Sequence, residues 1–285
     1  MMRWECKRIG IVVKRNSKEA LTTAREIVSF LKQKGLEPVN PTLNKIPSDE
    51  LGLSSEPQDF DEEICRVIVI GGDGTFLRVI QEVTSKELSP LIMTIGAGRR
   101  CFYFDIDSSE ATLYIDRFLK NDFLVQQYFL GSISIENEKT YSFLNEAVLV
   151  GDRAKLARLE VYIGTTKLYD VFGDGLIIST STGSTAYSLS AGGPVIEPSL
   201  ASFVITPLAS IQLSNRPVVI SPLLEIRVLV RKDGVMPRLI IDGIDKGYVE
   251  RGKTLYFKIY KKPLHVARFK WVRFYERTFE RKTLY

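Results

Sequence analysis

Val67-Ile68-Val69-Ile70 is an uninterrupted apolar run that delivers the chain directly into Gly71-Gly72-Asp73-Gly74-Thr75. A short, wholly apolar run bounded by glycines is the pattern of a strand buried on both faces, as in parallel sheets covered by helices. The first hundred residues repeat this alternation. Ile9 to Val13 reads as a strand, and Asn16 followed by Glu19 offers a capping-box-like helix start. Ala20, Leu21, Ala24, Ile27, Val28 and Leu31 then recur on one helical face, with Gly35 placed to supply a left-handed C-cap. Leu91 to Ile95 is a further strand ending in a glycine turn at Gly96 to Gly98. The polar stretch from Asn40 to Glu63, with Pro41, Pro47 and Pro57, reads as a long surface loop or a short disordered insert.

From about Val125 the texture changes to short β-rich segments at close spacing. Turn signals at Glu136-Asn137, Gly164-Thr165, Asp233-Gly234 and Asp242-Gly243 separate them, which is the pattern of an antiparallel sandwich or layered β domain. Ser108 to Leu119 reads as a capped helix connecting the two regions.

At 285 residues, 45% hydrophobic and 26% charged, the chain has the composition of a soluble globular protein of one large or two ordinary domains. No window approaches the roughly 20 apolar residues of a membrane helix, since even Phe203 to Leu224 is broken by Gln212, Asn215 and Arg216. The first apolar run is followed at once by Lys14 and Arg15, unlike a secretory signal, so the expectation is a cytoplasmic protein with no membrane partner. Cys6, Cys65 and Cys101 are widely spaced and read as reduced structural thiols, neither a disulfide framework nor a zinc site. A mechanism that needs histidine would rest on His265 alone. The net charge of +5 would help gather a polyphosphate ligand by long-range attraction. The basic, aromatic tail Arg268 to Lys282 reads as a packed strand and amphipathic helix rather than a nucleic-acid contact.

Three groups of residues carry chemistry. The strand into Gly71, Gly72 and Gly74, with a helix starting at Thr75, can hold phosphate: missing Cβ atoms admit the anion to backbone N–H groups, and the helix N-terminus adds positive potential. Asp73 in that loop would repel phosphate unless it binds magnesium or takes a proton from an attacking hydroxyl, the two tasks of a kinase. A tight Asp-Gly turn without ligand is the plainer alternative, and Arg78 faces either the phosphates or solvent. The second group is Asp174-Gly175 through Gly193-Pro194, a strand running into a dense cluster of hydroxyls and glycines beside Tyr187, suited to a ribose and a base or simply a loop. In the third, Asn145-Glu146 lie inside Tyr141 to Val150, which reads as a buried strand. One of the pair then needs a partner on the core side, either ligand or structural.

In this order, GGDGT at 71–75, Asn145-Glu146, and especially DGLIISTSTGSTAYSLSAGGP at 174–194 resemble the motifs of the NAD kinase family, with Asn215-Arg216-Pro217 and the Ile241-Asp242-Gly243 turn extending the likeness over most of the chain. The resemblance implies a Rossmann-like α/β domain over 1–107, a β-sandwich NAD-binding domain over 108–262, and a C-terminal segment, 263–285, returning to the first domain. It implies NAD or NADH bound between the domains as acceptor, ATP or polyphosphate as donor, and magnesium or another divalent cation held mainly through the donor phosphates. A homo-oligomer, dimer or tetramer, is implied as well, with a neighbouring subunit helping to complete the site. Carried over by motif, Asp73 would accept the proton of the ribose 2′-hydroxyl. Gly71, Gly72 and Gly74 would admit the pyrophosphate, with Thr75 and Arg78 beside them. Asn145 and Glu146 would contact NAD, with Lys155 as a further polar contact. Thr185, Ala186, Tyr187 and Ser190 would line the adenosine pocket, and Asp174 the nicotinamide side.

The chain departs from the family pattern at Gly96, where Asn is usual, and at Cys101, where Gly is usual, in the stretch Thr94 to Phe102. Phe172, Ile211 and Ile244 replace polar residues at three more places. These positions bear on the choice between NAD and NADH and among donors. A lipid kinase would share GGDGT but lack the motif at 174–194. A non-catalytic dinucleotide sensor would keep the pocket, but intact Asp73 argues against it.

Overall fold

The computed structural model describes residues 4–98, 101–136, 140–152, 155–270, 274, 278 and 279. The chain forms two compact units, the first ending at Gln127 and regaining the chain from Leu264, the second spanning Tyr128–Pro263.

The first unit is built from β1 (Arg8–Val13), α1 (Lys18–Gln33), β2 (Glu37–Val39), β3 (Arg66–Gly71), α2 (Asp73–Ser85), β4 (Leu91–Gly96), β5 (Ile106–Asp107), α3 (Ala111–Leu119) and β6 (Leu124–Tyr128). Its sheet runs β2-β1-β3-β4, then the strand Leu264–Arg268, then β6, with β5 beside β4. The pairings among β1, β2, β3, β4 and β5 are all parallel. Ile9, Ile11, Val13, Ile68 and Ile70 pack with Ala24, Ile27, Val28 and Leu31 of α1 in one core, while Val12, Val67 and Val69 between them are equally buried. Burial on both faces explains the unbroken apolar runs, and each such side chain contributes about 1.5–3 kcal/mol.

Several expectations need correction. Ser17, not Asn16, caps α1, accepting from Ala20 N–H, and Gly35 has the left-handed φ of +72°. Asp107, one residue ahead of Ser108, makes the capping box with Glu110 that starts the turn into α3. The insert 40–63 is packed rather than disordered: Leu51, Leu53 and Phe60 are buried, and the Asn44 side chain bonds Ile11 O, Val13 N and Asn40 Oδ1. The first boundary lies after Gln127 rather than at 107, because Tyr114, Ile115 and Phe118 of α3 complete the core of the first sheet and β6 is its edge strand.

Cys6 and Cys65 form a disulfide, with Cα atoms 6.0 Å apart across 59 residues, whereas Cys101 is a free thiol. The expectation of three reduced thiols fails because Cys6 precedes β1 and Cys65 precedes β3, which are parallel neighbours with Ile9 opposite Arg66. Parallel neighbours are joined by long crossovers, so wide sequence spacing conceals their proximity.

The second unit comprises β7 (Gly131–Ile135), β8 (Thr140–Phe143), β9 (Glu146–Val150), β10 (Ala157–Ile163), β11 (Thr166–Gly173), β12 (Gly175–Thr180), α4 (Tyr187–Ser190), β13 (Phe203–Leu208), β14 (Val218–Ile220), β15 (Ile226–Val230), β16 (Arg238–Ile241), β17 (Ile244–Tyr248) and β18 (Thr254–Ile259). They form two antiparallel six-stranded sheets, β11-β10-β15-β18-β7-β8 and β14-β13-β12-β9-β16-β17. Alternate residues such as Leu159, Val161, Leu176, Ile178, Val228 and Phe257 supply the core. Tyr141 to Val150 is therefore not one strand: β8 and β9 lie in different sheets, and Leu144-Asn145 is the crossover. The strand Leu264–Arg268, β19, follows this unit and pairs parallel with β4.

Among the described residues no helix is long and apolar enough to cross a membrane. The amphipathic helix expected in the tail falls largely on residues outside those described, as do Asn137 of the Glu136-Asn137 turn and Arg99 and Arg100 after Gly98.

Candidate functional site

In the first sheet β2 and β3 flank β1 on opposite sides. Such a reversal opens a crevice beyond the carboxyl ends of the strands, where α/β sheets bind ligands. Lys14 and Arg15 leave the end of β1 there, and Gly71-Gly72 leave the end of β3. A Cβ on Gly71 would stand 2.8 Å from both Lys14 Cβ and Thr75 Oγ1, so only glycine fits. Gly74 is exposed with nothing within 4 Å of such a Cβ, and Gly72 would meet Cys101 Sγ at 3.3 Å. Gly71 is thus a packing requirement, whereas Gly72 and Gly74 leave backbone open to an approaching anion.

The helix α2 starts at Asp73, two residues before the expected Thr75, with Gly72 as N-cap. Gly72 O accepts from Thr75 N–H at 2.8 Å and Phe76 N–H at 3.1 Å. As the first helical residue, Asp73 has its carboxylate in the positive potential of the helix N-terminus. Its Oδ2 accepts from Phe102 N–H at 3.0 Å and its Oδ1 from Tyr103 N–H at 3.1 Å. Thr75 is buried, and Arg78 is half-buried with no ion pair among the described residues. Burial first, and the like charge of Arg15 second, push the Arg78 guanidinium below its usual pKa. Two cations that repel each other beside a glycine loop are an arrangement that an anion would relieve. His265, by contrast, lies opposite Leu91 at the amino end of β4, packed on Trp4 at the far edge from the loop.

In the second unit the sheet crossover is held by Asp242. Its Oδ2 accepts from Leu144 N–H at 2.8 Å, and its Oδ1 from Asn145 N–H at 2.8 Å and Glu146 N–H at 3.1 Å. The Asp242-Gly243 pair, at φ +46° and +78°, forms the two-residue turn between β16 and β17. Asn145 O in turn accepts from Thr180 N–H at 2.9 Å and lies against Gly183. Asn145 and Glu146 are both buried, so the crossover and the 180–187 segment form one polar cluster.

Glu146 is the unusual member of this cluster. Its Oε2 is buried with no hydrogen-bond partner, and the carboxyl is pushed up to about 8, by burial foremost and by Asp242 second, against the lowering contact of Tyr187 N–H. At neutral pH the side chain is mainly a neutral acid that can donate a hydrogen bond. Thr185 and Ala186 are half-buried, followed by Tyr187, which is 47% exposed as a whole residue, and Ser190 is exposed at the end of α4. Exposed hydroxyls, an open aromatic face and a neutral carboxyl are groups suited to a ribose and a base.

Asp174 and Lys155 lie elsewhere. β12 pairs with β9 so that Ser179 faces Glu146 and Gly175 faces Val150, which puts Asp174 at the opposite end of β12. The strand separates Asp174 from the Glu146 end by about 17 Å. Asp174 O accepts from Gly151 N–H, and Lys155 is exposed in the loop that Gly151 begins. Phe172 and Ile211 bond through their backbones at this same end, whereas Ile244 opens β17 next to the Asp242 turn. The substituted positions therefore fall at both ends.

Sequence reading overlooked Lys14 and Arg15, although two basic residues directly after the first strand were a visible signal. It also overlooked the amides of Phe102 and Tyr103 and the packing of Gly183 on Asn145, which no local pattern marks.

Comparison with known proteins places the chain. Residues 9–123 match the ATP-NAD kinase N-terminal domain and residues 144–269 the ATP-NAD kinase C-terminal domain. The NAD kinases of Aeropyrum pernix and Thermococcus sibiricus are each 34% identical to it, over 97% of this chain and 98% of each relative. Two solved structures share the fold. Yeast NADH kinase complexed with NADH superposes with a TM-score of 0.85 at 18% identity, over 98% of this chain and 89% of that one. An NAD kinase from Archaeoglobus fulgidus in complex with ATP gives 0.72 at 24% identity, over 96% of both chains. On these grounds the chain belongs to the NAD kinase family.

Proposed function

We propose that the protein transfers a phosphoryl group from ATP, another nucleoside triphosphate or polyphosphate to the 2′-hydroxyl of the adenosine ribose of NAD, giving NADP. The observation that carries this reading is the Asp73 carboxylate, oriented by two amides at the first turn of a helix above the sheet's reversal point. Phosphoryl transfer gains mainly from alignment and charge neutralisation. Asp73 accepts the hydroxyl proton as the oxygen attacks phosphorus. The backbone of Gly72 and Gly74 admits the phosphates, and Lys14, Arg15 and Arg78 offset their charge. No histidine takes part.

Asn145, Glu146, Thr185, Ala186, Tyr187 and Ser190 bind the dinucleotide, the neutral Glu146 acid donating to a ribose oxygen. This polar cluster disfavours a lipid acceptor, which would need an apolar cleft. Among the described residues no three His, Cys, Asp or Glu side chains group as a metal cage. Magnesium would be held mainly by the donor phosphates, with the Asp73 carboxylate beside them at the loop. Bound there, magnesium would neutralise charge on the transferring phosphoryl group.

Asp174 and Lys155 serve a site completed by a second copy of the chain, since within one copy Asp174 stands a strand's length from the Glu146 cluster. On this reading the protein works as a homo-oligomer, a dimer or a tetramer. The reading is tested by offering NAD or NADH with ATP or polyphosphate and measuring NADP or NADPH. Product is expected with at least one pair, and none with any pair, or product only with a lipid acceptor, would refute it.

A further inference from the structure

The two amides that grip Asp73 sit on a loop that is itself held from the C-terminal strand. Tyr103 O accepts from Arg268 Nη1 at 2.7 Å and from Thr94 Oγ1 at 3.1 Å. The same Nη1 lies 3.1 Å from Asp105 Oδ1 and 3.2 Å from Thr94 Oγ1, and Arg268 Nε donates to Gln126 Oε1 at 2.7 Å. Asp105 Oδ2 accepts from Phe269 N–H at 2.8 Å and Lys270 N–H at 3.2 Å. The Arg268 and Asp105 side chains are 5% and 1% exposed, so this is a buried ion pair. Such a pair is often no more stabilising than apolar side chains of the same volume, and its best use is to fix geometry.

What it fixes here is the peptide plane that follows Tyr103. The Tyr103 carbonyl is held by two donors, and the Phe102 and Tyr103 amides immediately before it meet the two oxygens of Asp73. A carboxylate gripped on both oxygens by adjacent amides takes its plane from them. We propose that Arg268 is a positioning residue for the phosphoryl transfer: from β19 it holds the Tyr103 carbonyl, and through the Phe102 and Tyr103 amides it sets the direction of the Asp73 carboxylate. Arg268 itself touches neither substrate. The proposal rests on Asp73 being the proton acceptor.

The test uses the full-length protein and a direct measurement of NADP formed, with four variants: Arg268→Lys, Thr94→Val, Asp73→Asn, and the double variant Arg268→Lys with Asp73→Asn. Lysine keeps a charge for Asp105 but lacks the fork that serves Tyr103 O, Thr94 and Gln126 together. A misplaced reacting group costs up to about 100-fold, so Arg268→Lys is expected to lower kcat about 10- to 100-fold while KM for NAD and donor stay within about twofold. In the Asp73→Asn background the same change should lower kcat no further, because the carboxylate it directs is gone.

Unchanged kcat in Arg268→Lys, or an equal loss with and without the Asp73 carboxylate, overturns the proposal. Should Arg268→Lys fail to fold by its melting curve, Thr94→Val carries the test. It removes one donor to the same carbonyl and must show a smaller kcat loss with unchanged KM, again absent in the Asp73→Asn background. Near-normal turnover in Asp73→Asn alone would instead refute the proton-acceptor reading, an outcome distinct from failure of the positioning role.

Discussion

Gly183 lies directly against the main-chain carbonyl of Asn145: a Cβ built on it would stand 1.9 Å from that oxygen. Both partners are backbone, one at the sheet crossover and the other in the turn after β12, so neither can yield without moving a strand end. Overpacking of a tight site costs about 1–3 kcal/mol, and a clash with backbone falls at the upper end or beyond. Gly183→Ala should therefore lower the melting temperature by several degrees and weaken NAD binding, as read by calorimetry. An alanine variant that melts and binds like the parent would show that the approach is looser than described.

Glu146 gives a prediction about pH. Its carboxyl, ordinarily near 4.5, is pushed up to about 8, so the folded protein holds this proton more tightly than the unfolded chain. Its contribution to stability is then fully present below about 4.5 and is lost as pH rises through about 8. Glu146→Gln keeps a neutral donor of the same shape and removes the titration. The melting temperatures of parent and variant should be closest near pH 5 and separate as pH rises to 8, the glutamine protein becoming the more stable. Parallel curves across that range would mean that Glu146 is ionised at neutral pH.

The Cys6–Cys65 disulfide ties the start of β1 to the start of β3 across 59 residues. Closing a loop of this length stabilises mainly by restricting the unfolded chain, by about 2–4 kcal/mol. Reduction, or Cys6→Ser, is expected to lower the melting temperature while leaving kcat near its original value, because the bridge lies at the amino ends of the strands and the glycine loop at their carboxyl ends. Thiol titration of the unfolded, unreduced protein should find one free thiol, belonging to Cys101, and three would show the bridge absent.

What was legible in the sequence follows from how local each determinant is. The buried strand before Gly71 announced itself because burial on both faces leaves no polar residue in Val67 to Ile70, the strand before Gly96 because only Thr94 interrupts its apolar run, and α1 because its apolar stripe has one period. The crossover at Leu144-Asn145 was misread as continuous strand, because the acceptor that allows the chain to leave one sheet for the other, Asp242, lies about a hundred residues later. The disulfide was missed for the same reason, since only parallel pairing brings Cys6 to Cys65. In the candidate site, Asp73 and the hydroxyl cluster stood out as residue types unusual in their setting. The amides of Phe102 and Tyr103 did not, because a backbone donor leaves no mark in the sequence.

The position of Asp174 at the far end of β12 from Glu146 separates two accounts of the site. If a second copy supplies Asp174, then a protein carrying Asp73→Asn and one carrying Asp174→Ala each turn over far more slowly than the parent as homo-oligomers. A mixed assembly then contains one site with both defects and one with neither. Random mixing of equal amounts in a two-fold assembly would leave roughly a quarter of all sites intact, and roughly half of those in the mixed assemblies alone. Co-expression of the two variants, each with its own affinity tag and purified through both, is therefore expected to recover NADP formation well above that of either variant alone. Were Asp174 to act within its own chain, every site of the mixed assembly would carry one defect and no activity would return. The same experiment reports on assembly, because a monomer would not survive purification through both tags.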